Sequence, residues 1–251
     1  MKTEAYEAMN DHDDSHFWFV GRQKIIFSFI ENFVFDKSIT NILDYGCGSG
    51  YISEAVIKAY PQFRVTSADH DENALTASRA RRLPRVVDMN TNKLEKSHYD
   101  LILCLDVMEH IEKDQEFVEY LKTLLAPNGK LILTVPAFES LWSGEDYVSN
   151  HVRRYRLKQL KNILIKAKFH IKKISYFNFF LFAPIVFTIF YNRLFHPKEM
   201  YQSNVKPLSL GLNNFLARVF GFESPFLRMV NFPFGFSLIT VVENHENEIK
   251  S

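Results

Sequence analysis

The sequence predicts an α/β protein centred on an open, mostly parallel sheet with helices on both faces. Three observations predict it. From Asn41 onward, short apolar runs alternate with amphipathic stretches, the pattern of a βαβ series. The first apolar run is closed by glycines at alternate positions, Gly46, Gly48 and Gly50. The run Leu101-Ile102-Leu103-Cys104-Leu105 is apolar throughout, as expected of a strand buried on both faces.

Taken in order, Asn41-Ile42-Leu43-Asp44 reads as the first strand. Ile52, Ala55, Val56 and Ala59 recur at helical spacing until Pro61 stops them. Phe63 to Ala68 is a second strand ending in Asp69, Asp71 to Arg82 a second helix, and Arg85-Val86-Val87 a third strand ending in Asp88. After the fourth strand, Phe117, Leu121, Leu124 and Leu125 put one apolar stripe on a helix that stops at Pro127-Asn128-Gly129. Lys130 to Val135 is a fifth strand. Leu157, Leu160, Leu164 and Ala167 mark another helix, and Phe169 and Ile171 open a sixth strand. Ser237 to Val242 supplies a β-branched seventh. Sheets of this kind bind ligands outside the carboxyl ends of their strands. The residues just after each strand are therefore the candidates.

Bulk properties narrow the classes. A chain of 251 residues with 47% hydrophobic content supports one domain (1–251) with a substantial core. Thirty Lys and Arg against 29 Asp and Glu give a net charge of +1, so no global field favours nucleic acid. Two cysteines, Cys47 and Cys104, suit a reducing compartment, and Met1 to Asp14 lacks the apolar core of a signal peptide. Both point to the cytoplasm.

The segment Leu43-Asp44-Tyr45-Gly46-Cys47-Gly48-Ser49-Gly50 carries the most chemistry. Its glycines let the backbone turn sharply and approach a ligand without Cβ atoms, and the following helix offers unpaired N–H groups. A dinucleotide loop, G-x-G-x-x-G, would place the third glycine one residue later. Asp44, two residues before the first glycine, suits a cationic ammonium group better than a pyrophosphate. A nicotinamide-dependent dehydrogenase is correspondingly disfavoured.

This loop resembles the acidic-x-G-x-G-x-G turn of the class I S-adenosylmethionine-dependent methyltransferases. The resemblance implies a Rossmann-like seven-stranded sheet with an antiparallel last strand, and S-adenosylmethionine as cofactor with S-adenosylhomocysteine as product. It implies that Asp44, Gly46, Cys47, Gly48 and Gly50 hold the methionine moiety, and that Asp69 binds the ribose hydroxyls. His70 would flank the adenine, with Asp88 and Met89 at its edge. Asp106-Val107-Met108-Glu109-His110-Ile111 resembles the D/E-V-x-E-H-I/V signature of one branch, with Leu105 and Asp106 near the methyl group. His110 is a candidate general base; Glu109 and His110 acting only to orient the loop is the other reading. No Asn-Pro-Pro-aromatic or Pro-Cys run follows the fourth strand, which disfavours DNA base methylation.

Two further segments match the branch. His16-Phe17-Trp18-Phe19-Val20-Gly21-Arg22 resembles its aromatic-plus-Arg entry, in which Arg22 reaches the cofactor carboxylate; plain packing of the 1–38 segment on the sheet is the alternative. His151-Val152-Arg153-Arg154-Tyr155 resembles an H-x-R-R-Y run at the substrate side, making His151 and Tyr155 candidates to bind or deprotonate an acceptor and Arg153 and Arg154 candidates to hold an anionic group, surface charge at a helix start being the alternative for the arginines. The acidic run around His12 and His16 is not read as a metal site, and none is expected.

The resemblance covers the 39–176 core and the 236–243 strand but not residues 177–235, which hold many of the 24 phenylalanines. The run Phe177 to Tyr191 approaches the length of a membrane span, yet the strands on either side of the insertion must share one sheet. Four readings stay open: enlarged core, a lid over a small apolar or lipid-like acceptor, in-plane membrane contact, or a dimer face through 177–195. Lys172, Lys173 and Arg193 flank the run as possible headgroup contacts. The expected function is methyl transfer to a small-molecule or lipid-like acceptor. The alternative is a non-catalytic, cofactor-holding partner subunit.

Overall fold

The computed structural model describes residues 12–34, 39–203, 205 and 207–245; residues 1–11 and 35–38 of the expected N-terminal segment lie outside them. Seven strands form one sheet. β1 (Asn41–Tyr45) pairs in parallel with β2 (Arg64–Asp69) and β4 (Tyr99–Leu105). β2 pairs with β3 (Val86–Asp88), and β4 with β5 (Leu125–Pro136). β7 (Ser237–Glu243) inserts antiparallel between β5 and β6 (His170–Phe177), giving the order β3-β2-β1-β4-β5-β7-β6. Leu101 to Cys104 in β4 are completely buried, which explains that unbroken apolar run. The order reverses direction between β1 and β4, so a crevice opens above their carboxyl ends.

The helices follow the expected periodicities. α1 (Phe17–Phe29) buries Ile25, Ile26 and Phe29 and widens into a π turn at Ile30–Val34. α2 (Tyr51–Ala59) buries Ile52 and Val56. α3 (Glu72–Ala80) starts where the Asp71 carboxylate accepts the Asn73 N–H at 2.8 Å. α4 (Asp114–Leu124) packs Phe117, Leu121 and Leu124 inward. One boundary differs from expectation. Pro127-Asn128-Gly129 does not separate helix from strand but lies within β5, because the Asn128 N–H pairs with the Asn244 carbonyl at the end of β7.

Beyond β5 come the short α5 (Gly144–Val148) and then α6 (Leu157–Lys166). The insertion is helical: α7 (Phe182–Phe195), α8 (Leu210–Gly221) and α9 (Ser224–Met229). α8 lies against α1 at a spot that only glycine permits, since a Cβ on Gly21 would sit 2.5–2.8 Å from the Phe220 side chain. The aromatic excess goes into ring packing at the insertion's base, including Phe179 stacked on Phe232 at 4.6 Å and Phe177 on Phe220 at 6.1 Å. α7 has 14 residues, short of the roughly 20 a span requires, and no described helix is long and apolar enough to cross a membrane. The flanking cations are engaged inside the protein. Lys172 pairs with Glu243, Lys173 donates to the Val230 carbonyl, and Arg193 donates to the Trp142 carbonyl.

Candidate active site

A single cleft of about 860 Å³ runs from the glycine loop to the underside of α7. Its floor is the carboxyl edge of the sheet. Gly46, Gly48 and Gly50 all hold positive φ, at 71°, 54° and 78°. This is the left-handed region, and a Cβ on Gly46 would also strike Val107 Cγ2 at 2.5 Å. The Gly46 and Cys47 N–H groups donate to the Ala68 carbonyl, which clamps the turn to β2. The acidic N-terminal run has a structural use that the sequence did not reveal. Asp13, buried, accepts from Ser49 of the loop and pairs with Arg81 at 2.6 Å.

Three carboxylates stand along the floor. Asp44 is buried, accepts the Ser53 hydroxyl at 2.7 Å, and is pushed up to about 6 by loss of water, only partly offset by that hydrogen bond. Asp69 accepts the N–H groups of Gly48, His70 and Asp71 at 2.7–3.0 Å. Those bonds fix its orientation and leave acceptor capacity facing the cleft. Asp106 has φ 58°, held there by the Thr134 hydroxyl on one oxygen and Arg22 on the other.

Deeper in the cleft, the loops after β4 and β5 meet. The Val152 N–H donates to the Glu109 carbonyl and the His151 N–H to the Asp146 carbonyl, both at 2.9 Å. Asp146 is the hub. Burial alone would raise it, but hydrogen bonds from His151 and Arg154 and the guanidinium charge hold it well below the usual carboxylate range. As an ionised carboxylate it can only accept, so His151 carries a proton on Nδ1, 2.8 Å away, and Nε2 is the free acceptor. Arg154 grips both Asp146 oxygens at 2.9 and 2.7 Å. His110 packs edge-on against His151 at 4.7 Å, and burial followed by that neighbour lowers it to about 4, so it is neutral near pH 7. Glu109 is fully buried with no hydrogen-bond partner for either oxygen; burial first, then the Asp106 charge, push it well up. One ligating atom from each of Glu109, His110 and His151 lies within 4.8 Å of the others.

A sequence profile described as a methyltransferase domain matches residues 43–131, the stretch from the first glycine-loop strand into β5. A protein named probable S-adenosylmethionine-dependent methyltransferase from Mycobacterium tuberculosis is 27% identical over 165 residues, covering 63% of this chain and 58% of that protein. The Ubiquinone biosynthesis O-methyltransferase of Rickettsia canadensis is 33% identical over 109 residues, 39% of this chain and 44% of that one. The chain thus spans roughly half the length of these relatives. The plantazolicin methyltransferase BpumL, solved with S-adenosylhomocysteine, shares the fold at a TM-score of 0.60 and 16% identity, covering 96% of this chain and 89% of that one. Residues 43–131 thus match a methyltransferase domain, and the chain resembles the class I S-adenosylmethionine-dependent methyltransferases in these relatives and in fold.

Most of the expected site residues line the cleft: Arg22, Asp44, Gly46, Cys47, Gly48 and Asp69, then His70, Met89, Leu105 and Asp106, with His110 and His151 deeper in. Three do not. Gly50 caps α2 behind the loop, where a Cβ would meet Leu83 at 2.6 Å and Ser78 Oγ at 2.8 Å. Asp88 stands beside Asp69 in register, but its carboxylate closes its own turn by accepting the Asn90 N–H and the Thr91 hydroxyl. Tyr155 is completely buried, hydrogen-bonds to Asp114 and the Met108 carbonyl, and titrates far above its ordinary range because of burial. The alternation of an extended segment puts Arg154 on the cleft side and Tyr155 behind it. Glu109 and Arg154 also line the cleft, together with Ser143 and Asp146, which the sequence did not single out.

Proposed function

We propose that the chain transfers the methyl group of S-adenosylmethionine to a hydroxyl of a small, apolar acceptor held beneath the insertion. The observation that carries this reading is the continuity of one cleft whose two ends differ in chemistry. At the sheet end, Asp44 would meet the cofactor ammonium, Asp69 the ribose hydroxyls, and His70 with Met89 the adenine. Arg22, fixed by Asp106, would face the cofactor carboxylate. At the other end Leu181, which precedes α7, and Pro184, Ile185 and Ile189 of α7 line the cleft, while Phe187, Phe190 and Leu194 on the helix's far side face solvent. A helix placed this way roofs the acceptor and excludes water. The likeness to an O-methyltransferase of ubiquinone biosynthesis supports an apolar, hydroxylated acceptor.

The reaction is an in-line displacement. The acceptor oxygen attacks the sulfonium methyl carbon, and the C–S electron pair returns to sulfur as the thioether. Positioning supplies most of the acceleration. His151, oriented by Asp146, presents the Nε2 lone pair to take the acceptor proton, with neutral His110 beside it. Calorimetry with S-adenosylhomocysteine tests the cofactor end: submillimolar binding in the wild type, lost in Asp69→Ala and Gly48→Val. Equal affinity in either variant would overturn the assignment. Production of S-adenosylhomocysteine with hydroxylated aromatic acceptors separates the enzyme from a cofactor-holding subunit, which binds but never turns over.

A further inference from the structure

We propose that Asp13 and Asn213, neither of which lines the cleft, are positioning residues for the cofactor. Together they hold residues 13–22 as a strap along the cofactor end, with one anchor on the glycine loop and the other on the insertion. Grip on the cofactor then depends on how the insertion is seated. This role rests on the cofactor lying at the sheet end of the cleft.

The strap supplies His16, Phe17, Trp18, Phe19 and Arg22 to the wall of the cleft. Its downstream continuation is core, since Ile25, Ile26 and Phe29 of α1 are completely buried. Ahead of that, Asp14 and Ser15 are exposed, and polar contacts at two anchors hold the chain. At the first, the buried Asp13 carboxylate accepts the Ser49 hydroxyl on one oxygen and pairs with Arg81 at 2.6 Å on the other. Ser49 sits between Gly48 and Gly50, so this contact reaches the turn itself. Arg81 also meets Asp14 of the strap at 3.3 Å and Glu54 of α2 at 2.7 Å, a charge-assisted knot. At the second anchor, Asn213 of α8 accepts the Phe17 N–H at 2.8 Å and donates to the Ser15 carbonyl at 2.7 Å. The first N–H groups of a helix have no partner within it, and here the insertion supplies one. An amide side chain can accept and donate at once. Phe220, also on α8, packs on Trp18 at 5.2 Å, so a ring of the cleft wall rests on the insertion too.

A cofactor walled by this segment leaves when the segment lifts, and gating motions of this kind often set turnover. Lifting breaks the Ser49, Arg81 and Asn213 contacts together, since all of them fall between Asp13 and Phe17. An acceptor that steadies the insertion from beneath α7 therefore slows cofactor loss. By linkage, bound cofactor favours the acceptor by the same factor.

The test follows release of radiolabelled S-adenosylhomocysteine, chased with unlabelled compound, from the wild type and from variants at both anchors. Asn213→Ala should speed release about tenfold, the scale of two lost hydrogen bonds, and raise KM for S-adenosylmethionine while kcat holds or rises. Asn213→Asp keeps the acceptor for Phe17 but loses the donor to Ser15, and should recover part of the effect. Asp13→Asn should speed release as well. The double variant with Asn213→Ala should fall short of the product of the two effects, because both free one strap. Gly211→Ala is the control on the same helix: a Cβ there meets nothing within 4 Å, and release should match the wild type. In the wild type, bound S-adenosylhomocysteine should slow amide exchange at 210–215, which do not line the cleft; this reads the linkage even where a variant folds poorly. Release within twofold of the wild type in Asn213→Ala, or no protection at 210–215, overturns the role. An effect confined to Asp13→Asn overturns the tie to the insertion. A wild type that does not bind S-adenosylhomocysteine removes the cofactor assignment and this role together, a result distinct from binding with unchanged release.

Discussion

Asp44 makes cofactor affinity depend on pH in a way that can be worked out beforehand. Its carboxyl is buried beneath the glycine loop and is pushed up to about 6. The ordinary value is 3.8, so the folded, unliganded protein binds this proton more tightly than the unfolded chain does. Stability from this group is therefore lost as pH rises from about 4 to 6, by roughly 3 kcal/mol at ~1.4 kcal/mol per pH unit. A cofactor ammonium beside the carboxylate would offset that loss, but only for the ionised form. At pH 7 about nine chains in ten carry the ionised form, and at pH 5 about one in eleven, given a pKa near 6. The dissociation constant for S-adenosylhomocysteine should thus be about tenfold weaker at pH 5 than at pH 7. Asp69, His70, Arg22, Cys47 and Asp106 line the same cleft, so Asp44→Asn is the control that removes their contribution. That variant should bind more weakly at pH 7 and lose most of the slope. Calorimetry in matched buffers reads both. A wild-type constant that holds within twofold from pH 5 to 7, or an unchanged slope in Asp44→Asn, refutes the reasoning.

Other outcomes follow from the same structure. Tyr155→Phe should cost about 1 kcal/mol of stability through its lost hydroxyl contacts, yet leave kcat within a fewfold, because the ring lies outside the cleft; a drop of a hundredfold in turnover would restore it as a catalytic residue. Gly21→Ala forces a methyl into Phe220 and should destabilise the protein by about 1–3 kcal/mol in urea melts, with the sheet's circular dichroism intact. Glu223, buried and accepting the Phe180 N–H at 2.9 Å, is pushed up to about 7 by burial. Its folded value lies above the ordinary 4.5, so its contribution to stability is lost as pH rises from 4.5 to 7. Glu223→Gln should flatten that decline in thermal midpoint.

The sheet was legible because its signals are local. A strand buried on both faces must be apolar at every position, and β4 is; a glycine turn that needs positive φ at three alternate positions can hardly be written otherwise. The cofactor end of the cleft inherits that clarity, since parallel strands ending at one edge of the sheet bring Asp44, Asp69 and Asp106 to the same side. The acceptor end does not. Glu109 and His151 meet because two loops separated by about forty residues are tied by the Val152 N–H on the Glu109 carbonyl and by Arg153 on Asp114 and the Glu112 carbonyl, contacts with no periodicity to betray them. Tyr155 shows the converse. Its neighbour Arg154 faces the cleft and it does not, a choice made by one residue of phase in an extended segment. Asp88 has the right type and place in the chain, but a local turn claims its oxygens. The packing of α8 on α1 was hidden too, since a lone glycine in a helix does not say which ring will cover it.

The insertion leaves the sheet at Phe177 and returns at Ser237, and these two residues are partners across β6 and β7. Departure and re-entry are thus a hairpin's width apart, while α8 on α1 and Arg193 on the Trp142 carbonyl hold the insertion against the rest of the fold. A loop with touching ends can be lengthened, shortened or exchanged without rethreading any strand. On the proposed function, acceptor choice would be modular: a different cap on the same sheet edge would change what is methylated while the chemistry beneath stays the same.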